Sequence, residues 1–490
     1  MAHTLYALVT RNMERIYPQR AAFRWYDEAS GTVCTRTYAQ YAQDIRRAVR
    51  CFAQSIPEMQ GKRVCILSRN CYEYGVNALG VMLAGGVLAP LNQRADWGEL
   101  QTQLELAQPA AILSDGVDHG CAEQLQAAYG SLLRPMDGYT AFDPTDLDPH
   151  CIDPDGLLML AFTSGTTGRS KAVMLSERNF FTSMAAFTDM VDTVRTLRQD
   201  PAPELSMLAM LPMFHIGTFA CFFSWPVAGW TMNLVGDLRN FYREMERMPS
   251  DYMLMVPMVL QAVLKDLRAG RRERLGKLQV VCCSSAMFRP EDLAELASYG
   301  ILVMQIYAST ETCACGLFNA AQDTAHIGAV GKACFGTQYR IAPDGELCIR
   351  GDMVTKGYYK DPTATAEVLD ADGWFHTGDL ARTDKEGYYY ITGRKKNLII
   401  LDSGENVSPE ELEKLLSGCT AVQECLVQEK GQKICAQIFC PQADQAAVRD
   451  FVTQLNRTLP MYKRITALVF RDEPLPRNAA GKLDRQAPAL

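Results

Sequence analysis

The sequence predicts a mixed α/β protein: a large N-terminal domain built on doubly wound sheets, a β-rich subdomain, and a small α+β domain at the C-terminus. Three observations carry that prediction. Apolar strand-like runs alternate with helical patterns over most of the chain, the signature of parallel α/β architecture. From about residue 327 to 396 glycines, tight turns and short alternating runs take over, as in Gly345-Glu-Leu-Cys-Ile-Arg350 and Gly387-Tyr-Tyr-Tyr-Ile391. After Gly393-Arg-Lys-Lys-Asn397 the pattern restarts, and residues 398–490 read as a separate compact unit.

In order, Thr37-Tyr-Ala-Gln40 has the form of a capping box, followed by Tyr41, Ile45, Ala48, Val49 and Phe52 at helical spacing. Residues 63–67 read as a buried strand, and residues 72–84 as a helix stopped by Gly85-Gly86. Residues 87–91 form the next strand, Asp96 with Glu99 opens a helix, and residues 110–113 form a third strand. Later strands fall at 207–211, 252–256, 279–283 and 301–306, with helices starting at Pro257 and Pro290, where a first-turn proline costs no hydrogen bond. In the C-terminal unit Ser408-Pro-Glu-Glu411 caps a helix, residues 422–427 and 433–439 are strands, and 444–456 a helix.

A length of 490 residues exceeds what one core usually holds, so several lobes are expected. A net charge of −7 argues against a broad nucleic-acid surface, and the basic run from Arg268 to Lys277 reads as a solvated helix face. No apolar run reaches the ~18 residues of a membrane span, and residues 1–20 lack the apolar core of a signal peptide. Seventeen cysteines without CxxC pairs fit reduced thiols in a cytoplasmic protein, and Cys282-Cys283 and Cys313-Ala-Cys315 read as buried small residues in preference to metal ligands.

The stretch richest in chemistry is Thr163-Ser-Gly-Thr-Thr-Gly-Arg-Ser-Lys171, between an apolar run at 157–162 and another at 172–175, with Ser176 as a helix cap. Its glycines let backbone approach a ligand, its hydroxyls and N–H groups can donate to phosphate oxygens, and Arg169 and Lys171 add positive charge. The spacing is not that of a Walker A loop. Alone, the stretch fits either a hairpin loop or a phosphate cradle.

Further motifs follow in one order: Leu211-Pro-Met-Phe-His-Ile-Gly217, Gln305-Ile-Tyr-Ala-Ser-Thr-Glu311, Gly345-Glu-Leu-Cys-Ile-Arg-Gly351, Gly373-Trp-Phe-His-Thr-Gly-Asp379, Gly393-Arg394, Leu459-Pro-Met-Tyr-Lys463 and Pro476-Arg-Asn-Ala-Ala-Gly-Lys482. Together with the opening loop they resemble the adenylate-forming superfamily, which includes acyl-CoA synthetases and aryl-CoA ligases, over about residues 37–485. The resemblance implies attack of a carboxylate on the α-phosphorus of ATP, release of pyrophosphate, and displacement of AMP by a thiol, with ATP, Mg²⁺ and coenzyme A required. It implies that Thr163, Ser164, Gly165, Thr166, Thr167, Gly168 and Lys171 hold the β- and γ-phosphates, and that Glu311 with Thr167 binds Mg²⁺. Thr310 is expected at the α-phosphate and Tyr307 against adenine, with Ser284, Ser285 and Ala286 on its other face. Asp379 is expected to hold the ribose hydroxyls, Arg394 to make a second nucleotide contact, and Lys482 to act as the catalytic cation of adenylation. Asn397 falls at the family's hinge and Gly404 beside its pantetheine tunnel, so residues 1–396, 397 and 398–490 are expected as body, hinge and lid.

Four positions depart from the family pattern: Ser170, Ala172, Ala308 and Ala333; none carries a charge or donor assigned to the chemistry. His215 follows Phe214 where amino-acid-activating members carry aspartate, and either gates the carboxylate pocket or is a structural ring. With it, Ile216, Gly217, Phe219, Val256, Met258, Ile306 and Ala308 make a mainly apolar candidate wall, suited to a fatty or aryl acid. The competing expectations are a stand-alone ligase that loads an acyl carrier protein and a catalytically inactive nucleotide-binding homologue.

Overall fold

The computed structural model describes residues 4–485 apart from 118, 165–169, 200–203, 237, 285–287, 321, 322, 324, 335, 402–404, 432, 478–482 and 484; for Ser164, Ala185, Ala186, Leu197, Arg198, Leu238, Pro257 and Met258 only the backbone is described. The chain forms two compact units, one of residues 1–339 and 349–375, the other of 340–348 and 376–490.

Among the described residues the larger unit carries two mixed sheets. The first has six strands in the order Leu133–Pro135, Ala111–Ser114, Arg63–Leu67, Val87–Pro90, Met159–Ser164 and Ser170–Leu175. Its neighbours run parallel except for the last pair. The second has nine strands, and Ser206–Ala209, Tyr252–Met255, Val280–Ser284 and Leu302–Ala308 lie side by side and parallel within it. Thr231–Leu234 continues the run in parallel beside Ser206–Ala209, and Gly316–Asn319 lies antiparallel beside Leu302–Ala308.

Side-chain alternation explains why these strands are apolar at nearly every position. Val64 and Ile66 enter the central cluster, whereas Cys65 and Leu67 enter another on the opposite face. Met207 and Ala209 likewise join the central cluster, and Leu208 the second one. The central cluster therefore takes one face of each large sheet, filled by helices Tyr38–Ser55, Tyr72–Leu83, Glu177–Arg198 and Cys221–Ala228. The expected caps form: Thr37 and Gln40 make a reciprocal capping box, as do Ser176 and Asn179, and Asp96 accepts from the Glu99 N–H.

Helices Tyr38–Ser55 and Tyr72–Leu83 cross where Gly80 meets Ala48. A Cβ on Gly80 would lie 2.5 Å from the Ala48 Cβ, a carbon fixed to its own backbone. Gly80→Ala is therefore expected to destabilise by about 1–3 kcal/mol, the overpacking cost outweighing the gain in helix propensity. In urea, this shows as a lower unfolding midpoint at unchanged slope; an unchanged or higher midpoint would refute the close crossing.

The smaller unit holds a three-stranded sheet, Glu424–Glu429, Ile434–Phe439 and Ile465–Arg471, and the hairpin Phe375–Thr383 with Tyr389–Arg394 apart from its first residue. Residues 376–396 pack with the C-terminal residues in this unit, as do 340–348. One contact between them is local: the Ser408 hydroxyl caps the helix Pro409–Leu416 and donates to the Thr392 carbonyl at 2.8 Å, tying the hairpin to that helix. Thirteen of the seventeen cysteines are buried, and all seventeen are free thiols. Arg268 pairs with Glu295, Arg271 and Arg274 with Asp266, and Lys277 with Asp251, so that basic run is a salt-bridged surface.

Candidate functional site

The strands flanking the opening loop extend further than the sequence indicated. Met159–Ser164 and Ser170–Leu175 pair antiparallel, with Thr163 opposite Lys171 and Ser164 opposite Ser170. Thr163 and Lys171 are therefore strand residues, fixed by a ladder, and the connection is five residues instead of nine. Gly165, Thr166, Thr167, Gly168 and Arg169 lie outside the described residues.

In the same unit four parallel strands end along one edge of the nine-stranded sheet, at Ala209, Met255, Ser284 and Ala308. Ligands of open α/β sheets bind beyond such carboxyl ends. Ser284 pairs with Ile306, which places it beside Tyr307, while Val256 follows the neighbouring strand. Tyr307, Ala308, Thr310, Glu311, Ile306, Val256 and Ser284 are all half-buried. Ser285 and Ala286 lie outside the described residues, and so does the Met258 side chain.

Beyond the Leu302–Ala308 strand the backbone turns sharply. Ser309 N–H donates to Thr312 Oγ1 at 3.0 Å and Thr312 N–H to Ser309 Oγ at 3.2 Å. Cys313 and Ala314 then take left-handed φ of 52° and 60°, uncommon for residues with a Cβ. This turn presents Glu311, whose position is set by a segment that carries no motif in the sequence. Thr355 donates its N–H to the Glu311 carbonyl at 2.7 Å and its hydroxyl to the Met174 carbonyl at 2.6 Å. Met174 N–H reaches the Gly357 carbonyl and Tyr359 N–H the Ala172 carbonyl, so residues 355–359 run beside the strand that carries Lys171.

Tyr358 completes the link. Its hydroxyl donates to Glu311 Oε1 at 2.9 Å, and the Lys171 ammonium lies 4.8 Å from its ring centroid. Burial and the Glu311 carboxylate together push its phenol well above the usual tyrosine range, so it stays a donor. One aromatic ring thus joins the lysine of the opening loop to the glutamate of Ser-Thr-Glu. Its only sequence signal is a tyrosine after Gly357, six residues past Gly351.

Of the acyl-pocket candidates, His215 and Gly217 are exposed and Ile216 half-buried. Among the described residues no atom lies within 4 Å of a Cβ built on Gly217. The Phe214 and His215 rings lie 4.2 Å apart. Phe219 is different: it is completely buried against Phe180, Phe222 and Phe223. It belongs to the central cluster. An apolar residue on a short helix gives no sign in sequence of which side is sealed.

The second unit positions the remaining candidates. Asp379 and Arg394 are cross-strand partners, and Arg394 Nε lies 2.6 Å from Asp379 Oδ1. Gly378, at φ 70°, donates its N–H to Glu346 Oε1 at 2.8 Å, and Thr377 donates to the Leu347 carbonyl, which fixes the turn before Asp379. Asn397 Nδ2 donates to Glu410 Oε1 at 2.5 Å. Lys482 and Gly404 lie outside the described residues, but the flanks of Lys482 are defined. Arg477 and Leu483 form an antiparallel bridge, Arg477 pairs with Glu424, and Arg485 pairs with Glu413.

The chain is similar to known enzymes over nearly its whole length. The model of the AMP-binding enzyme family matches residues 11–359. Crotonobetaine/carnitine–CoA ligases of Escherichia coli and Shigella flexneri are each 26% identical over 505 residues, covering 94% of this chain and 94% of theirs. ATP-bound MatB from Rhodopseudomonas palustris superposes with a TM-score of 0.83 at 25% identity, covering 99% of this chain and 97% of that one. o-Succinylbenzoate CoA synthetase of Bacillus subtilis, in complex with its acyl-adenylate intermediate, gives a TM-score of 0.81 at 23% identity, over 98% and 97% of the two chains. The last of these likenesses concerns the fold. With more than half of the chain matched by the family model, the conclusion is direct: the chain belongs to the AMP-binding enzyme family.

Proposed function

We propose that the protein is an ATP-dependent, AMP-forming carboxylic acid–CoA ligase that works through an acyl-adenylate. The observation that carries this reading is the junction of Lys171, Tyr358 and Glu311, which sets a cation and a carboxylate on one scaffold beside a glycine- and hydroxyl-rich loop. That combination suits a triphosphate with its magnesium ion: a hard cation bridging phosphates wants few carboxylates and several waters. Magnesium held by Glu311 with Thr167 would neutralise phosphate charge during displacement.

The chain's own residues divide the remaining work. Thr163, Ser164, Gly165, Thr166, Thr167, Gly168 and Lys171 grip the β- and γ-phosphates, orienting pyrophosphate as leaving group. Thr310 contacts the α-phosphate, and adenine lies between Tyr307 and the turn Ser284, Ser285, Ala286. Asp379 accepts from the ribose hydroxyls; Arg394, already paired with it, adds a second contact. Lys482 bridges the attacking carboxylate and the α-phosphate. Asn397 serves as hinge and Gly404 leaves room for a pantetheine arm. The relatives of this chain are named as CoA ligases or synthetases, which favours coenzyme A over a carrier protein as acceptor.

His215, Ile216, Gly217, Val256, Ile306 and Ala308 include no carboxylate, so the wall offers no counter-charge to a cationic acid such as carnitine. An aliphatic or aryl acid fits it better. Pyrophosphate release across a panel of aliphatic, aryl and quaternary-ammonium acids tests this. Release is expected with an apolar acid, and adenylate turnover is expected to need CoA. A preference for the quaternary-ammonium acids would overturn the acid class, and no release with any acid would overturn the enzyme reading.

Tyr358→Phe keeps the ring and removes the hydroxyl. With a hydrogen bond to a charged group lost, KM for Mg·ATP is expected to rise about tenfold while kcat changes less than about twofold. An unchanged KM would show that Glu311 is held without Tyr358.

A further inference from the structure

We infer that Glu346, Cys348 and His376 form a binding site for a borderline-soft divalent cation, of which zinc is the natural probe, separate from the magnesium site proposed at Glu311. Among the described residues this is the one place where three such side chains bring ligand atoms within 4.8 Å of one another. Their placement comes from the sheet. Glu346 and Cys348 stand at i and i+2 on the strand Glu346–Arg350, hence on one face, and His376 lies on the neighbouring strand Phe375–Thr383.

The spacing suits a tetrahedral ion. His376 Nδ1 lies 3.6 Å from Cys348 Sγ and 3.2 Å from Glu346 Oε2. Zinc bonds to sulfur, nitrogen and oxygen, joined at tetrahedral angles, put neighbouring ligand atoms about 3.3–3.6 Å apart. The donors are also the right kind: thiolate and imidazole select zinc over magnesium or calcium. A thiolate, a carboxylate and a neutral imidazole balance the ion's two charges, and binding releases the Cys348 proton to solvent. Supporting contacts exist as well. The Gly378 N–H fixes Glu346 Oε1, leaving Oε2 to face the cluster. Cys348 is fully buried, whereas the His376 side chain is 31% exposed and gives the ion a route in.

A cation already occupies part of the space. The Lys395 ammonium lies 3.1 Å from Glu346 Oε2 and 2.6 Å from Asp344 Oδ2. Lys395 can withdraw to Asp344 alone as the ion enters, so lysine and metal compete for Glu346. Arg340 also hydrogen-bonds the Cys348 sulfur and would have to yield that contact or share it.

The competition supplies a test that does not depend on the proposed reaction. Full-length reduced protein is titrated with zinc against a chromogenic chelator, and with cobalt in the near ultraviolet. One equivalent of zinc is expected, together with a sulfur-to-cobalt charge-transfer band. Cys348→Ser should abolish the band and weaken zinc at least about tenfold. Lys395→Met, which leaves all three ligands in place, should tighten zinc several-fold. Zinc uptake and a cobalt band unchanged in Cys348→Ser would assign the metal to other thiols and overturn the proposal. Weaker or unchanged zinc in Lys395→Met would overturn the shared position at Glu346, and equal affinity for magnesium would overturn the ion class.

Discussion

Lys482→Ala is expected to slow acyl-adenylate formation by about 10²–10³-fold, the size of effect seen when a preorganised charge partner of a transition state is removed. Adenylation brings a carboxylate anion against an α-phosphate, and the barrier is largely their mutual repulsion. A lysine ammonium on a flexible stem can face both at once. The described residues flanking Lys482 are tied down: Arg477 bridges Leu483 and pairs with Glu424, and Arg485 pairs with Glu413. Because the lysine acts only in the first step, thioester formation from supplied acyl-adenylate and CoA should stay within about threefold of the unsubstituted protein. Stopped-flow or quenched pyrophosphate release gives the first rate, and acyl-CoA appearance from synthetic adenylate the second. Equal loss in both would show that Lys482 supports the site generally and not adenylation.

Glu311→Gln should lower kcat/KM about 10²-fold and raise the magnesium concentration needed for half-maximal rate. The substitution separates charge from position. Glutamine has the same length, can still accept the Tyr358 hydroxyl, and leaves the Thr355 bond to the residue 311 carbonyl intact. What it lacks is the negative charge a hard cation requires. A magnesium titration of pyrophosphate release reads this directly. An unchanged half-saturation point in Glu311→Gln would exclude Glu311 as the metal carboxylate.

Much of this arrangement is legible in the sequence, for identifiable reasons. Caps are local, so Thr37, Asp96, Ser176 and Ser408 can be assigned from three or four neighbouring residues, and each caps its helix in the structure. Strands buried on both faces read as unbroken apolar runs, so the doubly wound sheets are visible. Their carboxyl ends then place Ser284, Tyr307 and Glu311 along one edge without further information. The parts that are not legible depend on distant partners. Tyr358 meets Glu311 and Lys171 across 47 and 187 residues of chain, through a strand register that no local pattern encodes. Phe219 packs against Phe180 and Phe223, one of them 39 residues away, and no local pattern names that partner. The hydroxyl- and glycine-rich composition of residues 163–171 suggests one long loop, yet pairing of Thr163 with Lys171 extends both strands into it. The Ser408 hydroxyl joins the hairpin to the helix it caps across 16 residues, a partner its capping pattern does not name. Glu346, Cys348 and His376 illustrate the same limit: the i and i+2 pair is readable, its cross-strand third member is not.

The central claim, two-step ligation through an adenylate, is tested most directly by product stoichiometry. The protein is supplied with ATP, Mg²⁺ and the best acid of the panel, with and without CoA, and pyrophosphate, AMP and acyl-CoA are quantified together. Without CoA, a burst of about one pyrophosphate per enzyme with little free AMP is expected; with CoA, the three products should rise in equal amounts. Formation of ADP and phosphate, or AMP release at a rate indifferent to CoA, would contradict it.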